Sequence, residues 1–242
     1  MDLTTQQDAS DDPAAPARPP AAPRDVIRRR LTAAISDHLL PSGMKLPEEK
    51  LARYFNTSRP RIREVLSLLE RDQLVEVQPN RGAFVARPTI QQTREICEAR
   101  VIIESAMARL AAERVTSADA QMLREIVETE RACWDKDDYT GAIRASREFH
   151  TKIAALAGNT VLSDTLTNIL TRSALSEGYY ASRGRSGCLC DDHFGLLYAL
   201  AERDADRAES LMAAHIRHIQ GRMNLTEPAD SVDIEEALNN VR

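Results

Sequence analysis

Three histidines are the residues of this chain best suited to coordination chemistry. His150, His193 and His215 each sit among apolar neighbours: Phe149 and Ile153, Phe194 and Leu197, Met212 and Ile216. Imidazole is the commonest protein ligand for transition metals, and facing helices of a bundle can bring such side chains together from distant positions. One histidine in such company is ordinarily a satisfied core residue. Three on three expected helices allow a shared site for a metal or an anionic ligand. Cys188-Leu189-Cys190 precedes His193, so Cys190 and His193 could share a helical face, and a thiolate or redox centre is a further alternative. Trp134, Tyr179 and Tyr180 read as packing or interface residues.

The second constellation is cationic. Ser58-Arg59-Pro60-Arg61-Ile62-Arg63 opens a segment in which Ile62, Val65, Leu66 and Leu69 fall at i, i+3, i+4 and i+7, the apolar stripe of a helix. Ser58 is a candidate N-cap, and Pro60 is tolerated where first-turn N–H groups have no helical partner. Arg59 and Arg63, four apart, share another face. Arginine at the start of such a helix suits a DNA major groove, because guanidinium bonds guanine or phosphate bidentately. The competing reading is a solvated basic face.

The surrounding elements favour DNA. A helical segment over Leu51–Phe55 precedes, with a turn at Asn56-Thr57. Leu74–Val77 and Arg81–Val85 follow as two short strands around Pro79-Asn80. Helix, turn, helix and hairpin make a winged helix-turn-helix, with Arg81 and Gly82 at the wing tip.

From Ile90 to Leu225 glycines are few and strand alternation is nearly absent, which predicts helices near 90–114, 117–135, 139–157, 160–177, 190–203 and 205–224. Breaks are expected at Thr116-Ser117, Asp137-Asp138, Gly158-Asn159, the Gly178–Gly187 loop and Asp204. The fold class is mainly α: an N-terminal winged helix-turn-helix followed by an all-α antiparallel bundle of about six helices.

Residues 24–88 resemble the winged-helix domain of the GntR family of bacterial transcription regulators. Leu46-x-Glu48-x-x-Leu51-Ala52, Ser58-Arg59, Arg63-Glu64-x-Leu66 and Arg81-Gly82-x-Phe84-Val85 carry the resemblance. It implies DNA contacts from Ser58, Arg59, Arg61, Arg63, Arg81 and Gly82. One departure is that Pro60 follows Arg59 directly, where the family usually places proline one residue later, so Arg61 occupies that place.

In the second domain, over residues 89–225, the stretch from about Thr93 to Met223 resembles the all-helical effector domain of the FadR-like branch, the FCD domain. Glu98-x-Arg100-x-x-x-Glu104, Phe149-His150 with Ala157-Gly158-Asn159, Asp192-His193 and Ala214-His215 match it. Many members bind a divalent metal, often zinc or nickel, with three histidines and an aspartate, and an effector carboxylate often completes the coordination. Carried over, the ligands are His150, His193 and His215, while Ser146 stands where the aspartate should be. A hydroxyl is a poorer ligand and removes one negative charge, yet three histidines and an exogenous oxygen can still hold zinc. Ser146 and Arg100 are the effector-binding candidates. Arg100 suits a ligand carboxylate or an ion pair with Glu104, whereas Arg147 and Glu148 are expected to point elsewhere.

Charge agrees with two modules. The 242-residue chain is net -5, yet residues 24–87 carry 13 basic against 8 acidic side chains. A basic unit on an acidic chain suits DNA binding confined to one domain. No run approaches the roughly 18 apolar residues of a membrane span, and no signal-peptide pattern opens the chain, so a cytoplasmic location and reduced cysteines are expected. Residues 1–23, rich in proline and alanine, and 226–242 are expected to be loose tails, with Ile234–Val241 able to form a short helix.

The leading functional expectation is a ligand-responsive regulator that binds a pseudo-palindromic operator in double-stranded DNA as a homodimer. Its effector is expected to be an organic acid. The alternatives are a metal-dependent enzyme built on the three histidines and a constitutive DNA-binding protein whose bundle only dimerises.

Overall fold

The computed structural model describes residues 22–180 and 190–225. The expected tails, apart from Ala22 and Pro23, lie outside the described residues. So do most of the expected Gly178–Gly187 loop, Cys188 and the short helix over Ile234–Val241.

The N-terminal unit is built from α1 (Arg24–Ser36), β1 (Lys45–Leu46), α2 (Glu48–Tyr54), α3 (Arg59–Arg71), β2 (Val75–Gln78) and β3 (Gly82–Val85). The three strands form one antiparallel sheet in the order β1-β3-β2, with Val75 opposite Val85 and Gln78 opposite Gly82. Asn80 and Gly82 take positive φ, +59° and +94°, which tightens the hairpin and presents Arg81 at its tip. Ser58 caps α3 by accepting from the Arg61 N–H, and Pro60 lies in the first turn. Ile62, Val65, Leu66 and Leu69 are buried against Ile27, Leu31 and Ile35 of α1. The second helix starts a turn earlier than expected, because Pro47 and the acidic pair Glu48-Glu49 favour a helix N-terminus over continued coil.

Six helices follow: α4 (Ile90–Arg114), α5 (Ser117–Asp135), α6 (Tyr139–Leu156), α7 (Thr160–Tyr180), α8 (Cys190–Ala201) and α9 (Ala205–Arg222). Capping boxes at Thr89 with Gln92 and at Thr116 with Asp119 start α4 and α5, while Asp138 and Asp204 cap α6 and α9. The central helix α4 packs against α6, α7, α8 and α9. Leu123, Ile126 and Val127 of α5 join Phe149, Ile153, Leu196, Leu197 and Met212 in the main core.

Gly178 does not open a loop as expected but lies inside α7. A Cβ there would stand 2.9 Å from the His38 ring, so this glycine lets the end of α1 approach the bundle rather than breaking the helix. The two units are in contact elsewhere too. Leu175 of α7 sits in the core of the N-terminal unit. Asp37, at the end of α1 and buried, accepts from Arg144 Nε at 2.6 Å and from Arg147 Nη2 at 2.8 Å.

Candidate metal and effector site

His150 comes from α6, His193 from α8 and His215 from α9, and all three are buried. Helical periodicity puts each on the stripe that faces the core: His150 next to Phe149, His193 one turn from Leu196 and Leu197, His215 one turn from Met212. Their Nε2 atoms meet. His193 Nε2 lies 3.3 Å from that of His150 and 3.2 Å from that of His215, and one ligand atom from each residue falls within 4.8 Å of the others.

The outer nitrogens explain this orientation. His150 Nδ1 faces Glu104 Oε2 of α4 at 2.5 Å, and His193 Nδ1 faces Glu130 Oε2 of α5 at 2.6 Å. His215 Nδ1 faces Asp192 Oδ2 at 3.1 Å, an oxygen shared with His218 Nδ1. A carboxylate at Nδ1 holds the proton there and leaves Nε2 as the lone-pair side, the arrangement that orients metal-bound imidazoles.

Ionisation suits the same role. Burial drives His193 well below the usual imidazole range. Burial also lowers His215 to about 3, against the raising effect of Asp192. Both are therefore neutral imidazoles at pH 7. Burial alone would raise Glu104, but Arg100 and His150 outweigh it and hold this carboxylate down at about 2. Burial pushes Glu130 up to about 7 against the pull of His150, and its Oε1 has no hydrogen-bond partner among the described residues.

The donor set can be tested against a metal. Zinc takes imidazole nitrogen at roughly 2.0–2.1 Å in tetrahedral geometry, which puts neighbouring donor atoms about 3.3 Å apart. The two short Nε2 separations, 3.3 and 3.2 Å, match that edge. Three imidazoles, each backed by a carboxylate at Nδ1, fit a borderline dication such as zinc or nickel.

Arg100 is also buried, and its bonds are made within the protein: Nε to Glu104 Oε1 at 2.6 Å, Nη1 to Ser173 Oγ at 2.9 Å and to Glu177 Oε1 at 3.0 Å. Of its two expected partners, the observed one is Glu104, through which Arg100 acts on His150. Beside His150 lies a cavity of about 50 Å³ whose wall includes His38, Arg100, Trp134, Ser146 and Arg147. Ser146 is half-buried, one turn before His150. The expectation that Arg147 points elsewhere is corrected here, since it lines this cavity with Ser146. The reason is spacing: residues three apart share a helix face, and Arg147 is three before His150. Glu148 is exposed.

Of the Cys188-Cys190 pair, only Cys190 lies among the described residues. Burial and the nearby Glu130 push this thiol up to about 12, so without a metal it stays protonated at neutral pH and is a poor nucleophile.

On the N-terminal unit, Ser58, Arg59, Arg61, Arg63, Arg81 and Gly82 are all exposed on α3 and the wing. Glu48 of α2 reaches across to them: Arg63 Nε donates to both Glu48 oxygens at 2.8 and 2.9 Å, and Arg59 Nη2 lies 3.5 Å away. Arg63 and Arg59 lower the Glu48 pKa in turn, Arg63 more strongly. Arg61 leans towards Glu64 at 3.9 Å. The Arg81 guanidinium lies 5.6 Å from the Phe84 ring centroid, which holds it at the hairpin tip.

Sequence reasoning did not single out Glu130, Arg147, Asp37 or His38. A signal existed for Glu130. Leu123, Ile126 and Val127 define a stripe on which position 130 is i+7, so a carboxylate there must be buried and needs a partner.

Residues 95–218 match the family model for the FCD domain, and residues 23–85 match the model for bacterial regulatory proteins of the gntR family. The HTH-type transcriptional repressor RspR of Escherichia coli is 26% identical over 196 residues, covering 80% of this chain and 85% of that protein. The Uxu operon regulator of Haemophilus influenzae is 28% identical over 227 residues, covering 86% of this chain and 83% of that protein. Among solved structures, Escherichia coli McbR/YncC superposes with a TM-score of 0.74 at 21% identity, covering 82% of this chain and 95% of that one, a likeness of fold.

Proposed function

The chain belongs to the GntR family of bacterial transcription regulators and carries an FCD effector domain, and on that premise we propose that it is a metal-dependent, carboxylate-responsive regulator. Its families and relatives are regulators rather than enzymes, which sets aside the reading of the three histidines as a metal-dependent enzyme site. Zinc or nickel is held by His150, His193 and His215. When bound, a dication would supply Lewis acidity and positive charge, which would favour an anionic ligand beside the three histidines. Glu104, Glu130 and Asp192 orient the imidazoles, and Arg100 keeps Glu104 ionised. The single observation that carries this reading is the convergence of three buried Nε2 atoms at metal-like spacing.

The effector binds in the adjoining cavity beside Ser146. On a comparable measure a cavity of about 150 Å³ accommodates benzene, so 50 Å³ suits a carboxylate head with one or two further carbons. In the cytoplasm, two copies place their α3 helices on the half-sites of a pseudo-palindromic operator, because one winged helix reads only a half-site.

The test is metal content by mass spectrometry after purification without chelators, followed by operator-fragment binding with and without added zinc and a small carboxylic acid. Near-stoichiometric zinc or nickel and an acid-dependent change in DNA affinity are expected. A protein that neither retains nor rebinds metal, and whose DNA affinity ignores both additions, would instead be a constitutive binder. Light scattering at micromolar concentration is expected to give a dimer.

A further inference from the structure

The cavity beside the histidines is not walled by the bundle alone. His38, from the end of α1 in the DNA-binding unit, is part of its lining. Its Nε2 lies 2.7 Å from the Ala174 carbonyl of α7. A carbonyl only accepts, so Nε2 carries the proton and the ring is fixed in place. The missing Cβ of Gly178 gives that ring its seat. The DNA-binding unit therefore closes one side of the ligand cavity.

Arg147 connects the same two regions. Its Nη2 donates to Asp37, the neighbour of His38, at 2.8 Å. Its Nη1 is buried and has no hydrogen-bond partner among the described residues, and the side chain lines the cavity. A buried, unpaired guanidinium nitrogen is costly to maintain, and an anion is its natural complement. Arg100, the fully buried arginine of the lining, already gives Nε and Nη1 to Glu104, Ser173 and Glu177.

We propose that Arg147 is the receptor for the effector's carboxylate and, by holding Asp37 with its other nitrogen, the link that carries occupancy to the DNA-binding unit. This rests on the effector reading above and names its recognition residue. The guanidinium is planar, with Nη1 and Nη2 at fixed separation, so a carboxylate on Nη1 and Asp37 on Nη2 constrain one another through a rigid group. Ligand binding then tightens the seat of α1 on α6 and narrows the positions the DNA-binding unit can take. By linkage, the contact that improves ligand binding is the one that ligand binding strengthens. Arg144 also holds Asp37, at 2.6 Å, so removing Arg147 does not leave that carboxylate unpaired.

The test uses the full chain loaded with zinc, and formate, acetate, glycolate, lactate and pyruvate as probes, with acetamide as the uncharged control at matched ionic strength. Thermal shift and calorimetry read affinity, and hydrogen exchange reads protection of residues 33–40. In the wild type at least one acid raises the melting temperature and slows exchange in that segment, while acetamide does neither. Arg147→Met lowers the affinity for that acid about tenfold or more, as loss of a charge-assisted pair requires. Arg147→Lys, which keeps the charge without the fork, retains part of the affinity but not the exchange protection. Asp37→Asn keeps affinity within about threefold and loses the protection. If an acid binds wild type and both Arg147 variants equally, Arg147 is not the receptor, though the effector reading stands. If Asp37→Asn retains full ligand-induced protection, the link is wrong. If no acid affects the wild type, both this proposal and the carboxylate reading fall.

Discussion

Glu130 lies under opposing demands, and Glu130→Gln separates them. The carboxylate is fully buried, with Oε2 on His193 and Oε1 unsatisfied among the described residues, and burial pushes it up to about 7. Its pKa is thus raised above the usual 4.5 of the unfolded chain. A raised folded value means that the folded state favours the proton, so the stability it contributes is present below pH 4.5 and is lost as pH rises to 7. A pKa that differs by one between folded and unfolded chain is worth about 1.4 kcal/mol, so the loss is at most about 3 kcal/mol by pH 8. Glutamine cannot ionise and escapes it. With metal chelated, Glu130→Gln is expected to match wild type near pH 4.5 and to exceed it by about 1–3 kcal/mol at pH 8. That is a rise in melting temperature of roughly 2–12 °C for a chain of this size.

Zinc should respond the other way. An ionised outer carboxylate makes the imidazole a better donor, and losing such a partner typically costs about 10–100-fold in metal affinity. The assay is differential scanning fluorimetry of chelated protein from pH 4.5 to 8, paired with competitive zinc titration at pH 7.5. The expected result is greater stability without metal and weaker binding of metal. A variant that is destabilised at alkaline pH when chelated, or that binds zinc as tightly as wild type, would refute the placement of Glu130 as an outer carboxylate kept at the expense of stability.

Ser146→Asp is expected to raise zinc affinity by about tenfold or more in the same titration, because it adds a charged oxygen ligand one turn before His150. In chelated protein, His193 and His215 are depressed below 6.5. Their stabilising contribution is therefore present above pH 6.5 and lost as pH falls below it, for His215 down to about 3, by up to about 1.4 kcal/mol per pH unit each, measurable by denaturant titration at pH 6.5, 5.5 and 4.5. In operator-fragment titrations, Arg59→Ala and Arg63→Ala are each expected to cost about 1–3 kcal/mol of affinity, and intact binding by the double variant would remove α3 as the reading helix. Glu48→Gln frees both arginines from their shared partner and is expected to tighten binding while steepening its salt dependence.

The fold was legible because each element signals itself locally. The stripe of Ile62, Val65, Leu66 and Leu69 marks α3, and Thr89, Thr116, Asp138 and Asp204 mark helix starts by capping chemistry. The three histidines stood out because polar rings interrupt apolar stripes. What faces them was harder to read, since it depends on how helices are rotated against one another in space. Glu104 and Glu130 lie 46 and 63 residues from the histidines they hold. Gly178 misled for a related reason: a glycine demanded by a close neighbour looks in sequence like one that ends a helix. Asp37 and His38 gave no local sign at all, because their importance comes from the other unit packing onto the end of α1.

The replacement of the expected aspartate by Ser146 changes what the site asks of its ligand. With His150, His193 and His215 as its only protein ligands, a dication's charge would be left uncompensated at the first ring of contacts. Glu104 and Asp192 are held ionised just outside that ring, so a metal bound there would be neutralised at a distance rather than by a bonded oxygen. Charge at such a distance stabilises a cation less than a bonded carboxylate does, so the open side of the site stays electropositive. Arg147, with one nitrogen unpaired, adds to that on the same side. The ligand that best completes the site is then the one that supplies the missing carboxylate itself. By the same logic Ser146→Asp should strengthen metal binding while weakening the response to a carboxylate. The two effects can be read in one titration series, zinc first and acid second, and a variant that gained in both would show that charge is not what the open position selects.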